Sequence, residues 1–319
     1  MFISPRLAVM RRAWNRRDLE PPRRPRYIDA MTMALIHDPL AAALARKAAS
    51  GARGQIADLP IASGEGWQVQ DIICTCGPHD REAEELTSAS SVALVLSGSF
   101  VVRDRHGTSL LSEGSYLLVN AGHCFACSHR HGEGDRCLSF RFEPELFERI
   151  AHDAGHRAGF AHNRLPPLRP LAPLTARARL AMRQPELMEE VAVELAAVAL
   201  GMSANENRPA FPSPHQGRMS EVLRYMAAQS SEEHTVAALA RMAKLSPYHF
   251  LRSFKSVTGV TPHQWLLRAR LRAAAEKLAI TRAPVTDIAF DVGFDDLSNF
   301  TRTFRAEFGV SPRQYRLAA

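Results

Sequence analysis

The hydrophobic positions of the last hundred residues predict a pair of helices that occurs twice. Apolar residues at helical spacing from 236 to 243 follow Thr235, a residue type that caps helix N-termini. A break at 244–246 leads to a second amphipathic helix, which starts with Pro247 and ends at Gly259. The pattern returns at 285–309, offset by 49 residues before the break and by 50 after it. This spacing predicts two helix-turn-helix units joined by a long helix from 262 to about 280.

The middle of the chain has short runs of β-forming residues separated by turn signals. The predicted strands are 92–96, 99–103, 109–111, 116–119, 125–128 and 138–142, with turns at 97–98, 105–107, 113–114 and 132–135. Short strands at this spacing are typical of a sandwich or a barrel. A helix predicted at about 186–202 has apolar residues for packing against the barrel or for dimerisation, and three prolines at 203–216 indicate a linker.

Residues 217–319 resemble the DNA-binding domain of the AraC/XylS family of bacterial transcription regulators. The matching motifs are AKLSPYHF at 243–250, GVTP at 259–262, VGF at 292–294, FTRTF at 300–304 and GVSP at 309–312. The resemblance implies a monomer that places two helices in successive major grooves of DNA.

The predicted DNA-binding residues occupy the face of each second helix that is not apolar. They are Tyr248, Leu251, Arg252 and Lys255 in the first unit, and Leu297, Ser298, Asn299, Thr301, Arg302 and Arg305 in the second. Leu251 and Leu297 depart from the polar residues often found there, so we expect them to contact a thymine methyl group or no base. Arg252 and Arg302 could be solvated surface arginines, but their equivalent placement in both repeats favours a DNA role.

The predicted strands resemble the cupin-like effector domain that many AraC/XylS regulators carry. This resemblance covers about 65–145 and rests on LSGSF at 96–100 and SEGSYLLV at 112–119. The two histidines and the glutamate that bind metal in cupin enzymes are missing, since the first hairpin reads GSFVVR at 98–103. The predicted fold class is α+β, with a cupin-like β-barrel or sandwich at 60–165 and an all-α domain with two helix-turn-helix motifs at 217–319. Between them, 173–202 is predicted as a helical dimerisation segment and 203–216 as the linker.

The charge of the 319-residue chain, +7 in total, is unevenly distributed. Residues 217–319 hold fifteen basic and nine acidic residues, whereas 27–216 hold seventeen basic and twenty-two acidic ones. A basic terminal domain beside a mildly acidic one is typical of a DNA-binding protein with a separate sensing domain. The arginine-rich residues 1–30 are predicted to be either a disordered basic arm or an over-extended start, with the true first residue at Met31 or Met33. Neither a membrane span nor a secretory signal is predicted, and the expected location is the cytoplasm.

All five cysteines lie in the predicted effector domain, with histidines among them. The candidate metal or redox residues are Cys74, Cys76, Cys124, Cys127, His129, His131 and Cys137. Cys74 and Cys76 are expected to share one face of a strand, and Cys124 and Cys127 have a ligand spacing that a turn can use. We expect Cys124, Cys127 and Cys137 to lie close enough to share one ligand or to exchange disulfides, with His129 or His131 as the fourth group.

Four roles are open for this cluster. The thiols and imidazoles suit zinc or another thiophilic metal ion, and thiols in a reducing cytosol also suit redox sensing. Buried cysteines are otherwise ordinary small core residues. The domain could equally bind a small organic effector, with the cysteines incidental.

The sequence predicts a DNA-binding transcription regulator that is gated by a signal in the cupin-like domain. The predicted partners are a double-stranded DNA operator, RNA polymerase, an effector or metal ion, and a second copy of the chain. The alternative is a cupin-type metalloenzyme tethered to a DNA-binding domain. The missing metal-ligand histidines, and the absence of a Ser/His/Asp or paired-carboxylate motif, favour a regulator that is not an enzyme.

Overall fold

The computed structural model describes residues 39–130, 132–205 and 215–319. The predicted basic arm or over-extended start at 1–30 lies outside the described residues, as do His131 and residues 206–214 of the predicted linker. The described helices and strands fall in one unit, Pro39–Ala319. A sheet-rich part comes first and a helical part follows, so the predicted α+β class is confirmed.

The sheet-rich part follows helix α1 (Pro39–Ser50), and its strands pair antiparallel. The order through the main sheet is β1-β2-β8-β4-β6-β9, while β3, β5 and β7 form a second layer around the far half of β4. The bounds are β1 Ile56–Gly64, β2 Trp67–Cys74, β3 Ala83–Leu86, β4 Ser90–Asp104, β5 Gly107–Ser112, β6 Tyr116–Val119, β7 Cys124–Ser128, β8 Asp135–Phe142 and β9 Arg164–Leu165.

Strand β4 corrects one predicted turn. The sequence predicts a hairpin at 97–98, but β4 runs unbroken through these residues, with an irregular register against β8 between Val95 and Ser97. Gly98 has φ +79°, and a Cβ there would lie 2.8 Å from the Cα of Asp135. The glycine therefore serves a bulge that bends one strand from the first sheet into the second, not a reversal of the chain.

Strand β8 shows how the two faces of the main sheet are used. Leu138, Phe140 and Phe142 point to one face and are fully buried in a core shared with helices. Asp135 and Cys137 point to the opposite face, toward the inside of the barrel. The sheet thus separates an apolar, helix-covered layer from an interior that carries polar groups.

Helices cover the apolar face of the sheet. They are α2 (Pro144–Asp153), α3 (Ala172–Ala181) and α4 (Met188–Asn205), the last close to the helix predicted at 186–202. The apolar residues Met188, Val191 and Leu195 of α4 are buried in this core. Only Leu187 and Val193 of the large apolar residues in this segment are exposed, at 42% and 37%. Most of its apolar surface is therefore used within the chain.

The helical part matches the predicted duplication. Its helices are α5 Gln216–Ala228, α6 Val236–Met242, α7 Pro247–Thr258, α8 Pro262–Ile280, α9 Val285–Asp291, α10 Leu297–Phe308 and α11 Pro312–Ala318. Thr235 and Ser246 cap α6 and α7 as predicted, and Gly259 and Gly309 end α7 and α10 with left-handed φ. In the described part of the chain, no helix has the length and apolar character needed to cross a membrane.

Candidate nucleic-acid interface and sensor cavity

The second helix of the first repeat, α7, has one buried and one exposed face. Phe250 and Phe254 are fully buried. The predicted DNA-binding residues Tyr248, Leu251, Arg252 and Lys255 are all exposed. The guanidinium carbon of Arg252 lies 5.7 Å from the centroid of the Tyr248 ring, so the ring supports the arginine as a cation–π partner.

The equivalent helix of the second repeat, α10, places its predicted residues differently. Ser298, Asn299, Arg302 and Arg305 are exposed, whereas Leu297 and Thr301 are half-buried, and Leu297 packs against the core of this repeat. Arg302 Nη2 donates to Asn299 Oδ1 at 3.1 Å. An amide therefore orients the arginine here, where an aromatic ring does so in the first repeat.

The start of α10 also explains an acidic residue beside the predicted interface. The carboxylate of Asp296 accepts hydrogen bonds from the backbone N–H groups of Ser298 and Asn299, at 3.1 and 2.8 Å. Asp296 is therefore the N-cap of α10. This cap holds the first turn of the exposed face in place.

Arg270 of helix α8 ties the two repeats together. Its side chain donates to the carbonyl of Gly293, in the turn of the second repeat, at 2.6 Å. It also donates to the carbonyls of Ser230 and Glu232, ahead of the first repeat, at 2.7 and 2.8 Å. No local sequence signal predicts this role of Arg270, because contacts made to backbone carbonyls leave no signal in the partner residues.

The sheet-rich part contacts the joining helix α8 through the turn between β5 and β6. Trp265 Nε1 donates to Ser112 Oγ at 3.3 Å, and both side chains are buried. Arg272 Nε lies 3.3 Å from Glu113 Oε1. The Arg272 side chain is 9% exposed, and burial lowers its pKa. An ion pair of this kind fixes one position of α8 on the barrel, since a buried charge left without its partner is costly.

Two arginines that precede α3 bind the C-terminal ends of the two exposed helices. Arg164 donates to the carbonyl of Val257 in α7. Arg169 Nε donates to the carbonyl of Ala306 in α10 at 2.8 Å. A cation at the C-terminus of a helix also interacts favourably with the helix dipole. The sheet-rich part thus contacts both repeats at matching places.

A cavity of about 170 Å³ lies inside the barrel, between the two sheets. Its lining includes Cys74, Cys76, Cys127, His129, Asp135 and Cys137. Cys74 of β2 and Asp135 of β8 face each other in the strand register, so their side chains point into the cavity side by side. His129 follows β7, whose residue Cys127 lies opposite Val102 of β4.

The buried groups at one end of the cavity are in contact. His129 Nε2 lies 2.6 Å from Asp135 Oδ1, and Cys137 Sγ donates to Asp135 Oδ2 at 3.1 Å. One ligand atom each from Cys74, His129 and Asp135 lie within 4.8 Å of one another. Burial, and next the carboxylate of Asp135, raise the pKa values of Cys74 and Cys137 well above the usual thiol range.

The expected grouping of the cysteines needs correction. Cys124 belongs to strand β7 and not to a turn, so it points to the opposite face from Cys127. It is exposed and does not line the cavity, and the prediction that Cys124, Cys127 and Cys137 share one ligand is wrong for Cys124. Cys76 lies beyond the end of β2, so it does not share a strand face with Cys74, although both line the cavity. His131 lies outside the described residues.

Asp135 is the member of the cavity cluster that the sequence did not indicate. The sequence predicts it as part of the turn at 132–135, whereas it is the first residue of β8. The signal that could have identified it is alternation, because Asp135 and Cys137 are two residues apart on the same face of a strand.

Comparison with known protein families assigns both parts of the chain. Residues 73–204 match the AraC-like ligand binding domain, and residues 239–318 match a helix-turn-helix domain. Both matched parts of the chain are therefore of the AraC type, with a ligand binding domain followed by a helix-turn-helix domain. The first match begins at the end of β2 and takes in β3–β9 with helices α2, α3 and nearly all of α4. The second begins within α6 and takes in α7–α11.

Individual relatives match a smaller part of the chain. The regulatory protein PocR of Salmonella typhimurium is 34% identical over 105 residues, 33% of this chain and 35% of PocR. The HTH-type transcriptional activator RhaS of Escherichia coli O139:H28 is 38% identical over 99 residues, 31% of this chain and 36% of RhaS. The chain therefore spans about a third of the length of these relatives. Among solved structures, the C-terminal domain of AraT, a response regulator from Geobacillus stearothermophilus, is 30% identical to the matched part of this chain. The match covers 34% of this chain and 89% of the AraT domain, with a TM-score of 0.32.

Proposed function

We propose that this protein is a sequence-specific DNA-binding transcription regulator whose two repeats read one operator. The observation that carries the proposal is the pair of exposed faces on α7 and α10, each with an arginine held by a neighbour on its own helix. Helix α8 and Arg270 connect the two units, so the faces are presented together. The excess of basic residues in 217–319 supports binding to a phosphate backbone.

The test is operator binding by the full chain and its variants. An operator is first selected from random duplexes with the parent protein. Arg252→Ala and Arg302→Ala should each weaken specific binding by about 1–3 kcal/mol, whereas Lys255→Ala should mainly reduce the salt dependence. Arg313→Ala, on an exposed position of α11 outside both faces, is the matched control. If neither arginine variant differs from Arg313→Ala, the assignment of the two faces is wrong.

We further infer that the barrel gates the repeats. Arg164 and Arg169 contact the C-terminal ends of α7 and α10, and Glu113 pairs with Arg272 of the joining helix. A signal that moves the β5–β6 turn would therefore change how the two helices are held relative to each other. The similarity to the regulatory protein PocR and the transcriptional activator RhaS supports a sensing role over an enzymatic one.

The remaining partners follow from the same function. RNA polymerase is the partner that a regulator of transcription must influence. Self-association would use the segment 173–202, where Leu187 and Val193 are exposed. Sedimentation of the parent and of a Leu187→Ser, Val193→Ser variant tests this contact, and equal mass for both would remove the segment from a dimer interface.

A further inference from the structure

We propose that Cys74, His129 and Asp135 form a binding site for a thiophilic divalent metal ion of the Zn²⁺ class. A metal ion bound here would be the signal for the gating proposed above. Only this regulatory effect of the metal, and not its binding, rests on the proposed function. The three side chains come from three parts of the barrel, namely the end of β2, the residue after β7 and the start of β8. All three are buried at the same end of the cavity.

The distances fit a metal with small adjustments. In a tetrahedral zinc site the ligand atoms lie about 3.3–3.8 Å apart, because Zn–S is about 2.3 Å and Zn–N about 2.0–2.1 Å. Here the ligand atoms of the three residues are within 4.8 Å of one another. The closest pair, His129 Nε2 and Asp135 Oδ1, is at 2.6 Å. The hydrogen bond between them would be replaced by bonds to the metal, and the two atoms would separate by roughly 1 Å or less.

The donor set selects the class of metal. One thiolate, one imidazole and one carboxylate make a mixed set of soft and hard ligands that suits zinc and its neighbours and does not suit calcium or magnesium. Cys137 Sγ donates to Asp135 Oδ2 at 3.1 Å, while the other carboxylate oxygen faces His129, so Cys137 orients the carboxylate. The cavity beside the site is large enough to supply a water molecule as the fourth ligand.

The backbone around the site already holds the ligands in position. The N–H of Cys76 lies 3.5 Å from Cys74 Sγ and donates to it. Gly134 N donates to the carbonyl of Cys76 at 2.8 Å, and Gly132 N donates to the carbonyl of His129 at 3.1 Å. These bonds connect the ends of β2 and β8 with the turn after His129. Outer contacts of this kind orient metal ligands and raise the affinity of a site.

The site is placed to reach the DNA-binding part. His129 and Asp135 stand at the two ends of one turn, and a Cβ on Gly132 within that turn would lie only 3.7 Å from the Cδ of Arg224 in α5. Helix α5 leads into the first repeat and packs against its core through Met219 and Leu223. A metal that coordinates His129 and Asp135 would change the distance between the two ends of the turn. Through Arg224, this change would alter the position of α5 against the barrel.

The direct experiment is a titration of the reduced, metal-free full chain with Zn²⁺, and with Co²⁺ as a spectroscopic substitute. We expect one ion per chain and thiolate-to-cobalt charge-transfer absorption. Cys74→Ser and His129→Gln should each lower the affinity on the order of 100-fold or more, since each removes a ligand where loss of an outer contact alone costs 10–100-fold. Cys124→Ser is the matched control, because Cys124 is exposed and does not line the cavity.

Two results would overturn the metal site. One is equal Zn²⁺ affinity for the parent, Cys74→Ser and His129→Gln, with circular dichroism establishing that the variants are folded. The other is a reduced protein that takes up no metal but forms a reversible disulfide between cavity cysteines, which would assign the cavity to thiol chemistry.

Operator binding in the same preparations keeps this test apart from the proposed function. A chain that binds Zn²⁺ at Cys74 but no DNA would contradict the regulator and keep the metal site. A chain that binds its operator but no Zn²⁺ would contradict the metal site and keep the regulator. If both bind, saturating Zn²⁺ should change the operator affinity of the parent and of Cys124→Ser, and should leave that of Cys74→Ser unchanged.

Discussion

The two helix-turn-helix repeats build the same turn from different residues. The turn of the first repeat has Lys244 at φ +53°, and that of the second has Gly293 at φ +92°. A lysine is tolerated in the first turn because it is exposed there. In the second turn, a Cβ on Gly293 would clash with the carbonyl oxygen of Ser231 and lie 2.9 Å from Arg270 Cζ. The glycine is therefore required chiefly by what packs against the turn, since the first repeat makes the equivalent turn with a lysine.

The same contrast extends to the core of each repeat. Val257 near the end of α7 is 5% exposed in an apolar cluster that also contains Leu110 of the barrel. The residue fifty positions later, Glu307 of α10, instead forms a largely buried ion pair with Arg268 of α8, with a nitrogen–oxygen distance of 3.3 Å. At this pair of equivalent positions, the first repeat therefore uses apolar packing and the second uses an ion pair.

The largest expected effect is on the turn of the second repeat. Gly293→Ala should lower the free energy of unfolding by about 2–4 kcal/mol, the cost of a left-handed alanine plus the displacement of Ser231 or Arg270. Lys244→Ala, the matched change in the first repeat, should alter it by less than about 0.5 kcal/mol, because a side chain is already accommodated there. Urea unfolding of both variants checks the pair, and equal losses would contradict the contrast.

Arg270→Ala should have the next largest effect. The change removes a charged donor from the carbonyls of Ser230, Glu232 and Gly293, and we expect a loss of about 2 kcal/mol in the free energy of unfolding. Operator binding should weaken as well, since the contacts that fix the position of one repeat relative to the other are lost. Far-ultraviolet circular dichroism should change little. If the variant binds operator as the parent does, Arg270 does not set the relation between the repeats.

The two leucines on the predicted DNA faces should separate binding from stability. Leu297 is half-buried against the core of the second repeat, so Leu297→Ala should lower the free energy of unfolding by about 1–2 kcal/mol. Leu251 is 40% exposed, so Leu251→Ala should leave stability nearly unchanged. Thermal unfolding and operator affinity, measured on both variants, give the comparison. A stability loss at Leu251 equal to that at Leu297 would show that the two positions are equivalent.

The smallest expected effect is a pH dependence that only the second repeat has. Burial raises the pKa of Glu307 above its usual value despite the neighbouring Arg268. A raised pKa in the folded state means a contribution to stability that is present below about pH 4.3, the pKa of an unfolded glutamate, and is lost as the pH rises above it. Glu307→Gln should therefore remove a decline in stability on going from pH 4 toward neutrality. Urea unfolding of both proteins across this pH range measures the effect. A difference in the free energy of unfolding between parent and variant that is the same at every pH would contradict it.

The helical part could be predicted closely because its signals are local. Caps at Thr235 and Ser246, the proline at 247 and the glycines at 259 and 309 fix helix ends within a few residues of each signal. The DNA-binding residues themselves stay predictions, since only measurements of DNA binding can test them.

The barrel could be predicted only in part because its determinants are distant in sequence. The predicted strands do not include β1, β2, β3 or β9. Strand β1 gives a weak signal because it is mostly exposed and contains Pro60. The residues around Gly98 predict a hairpin but form a bulge, because a glycine favours both. The cavity cluster depends on the register of β2 with β8, which pairs Cys74 with Asp135 across 61 positions. The contacts of Glu113, Arg164 and Arg169 with the repeats likewise have no local signal.

The most direct test of the central claim is a hydroxyl-radical footprint of the full chain on its selected operator. The account predicts two protected segments about one helical turn of DNA apart, since two reading helices joined by α8 enter successive major grooves. Arg252→Ala should weaken protection of one segment and Arg302→Ala that of the other. A single protected segment, or loss of the same segment in both variants, would contradict the claim that the two repeats read one operator together.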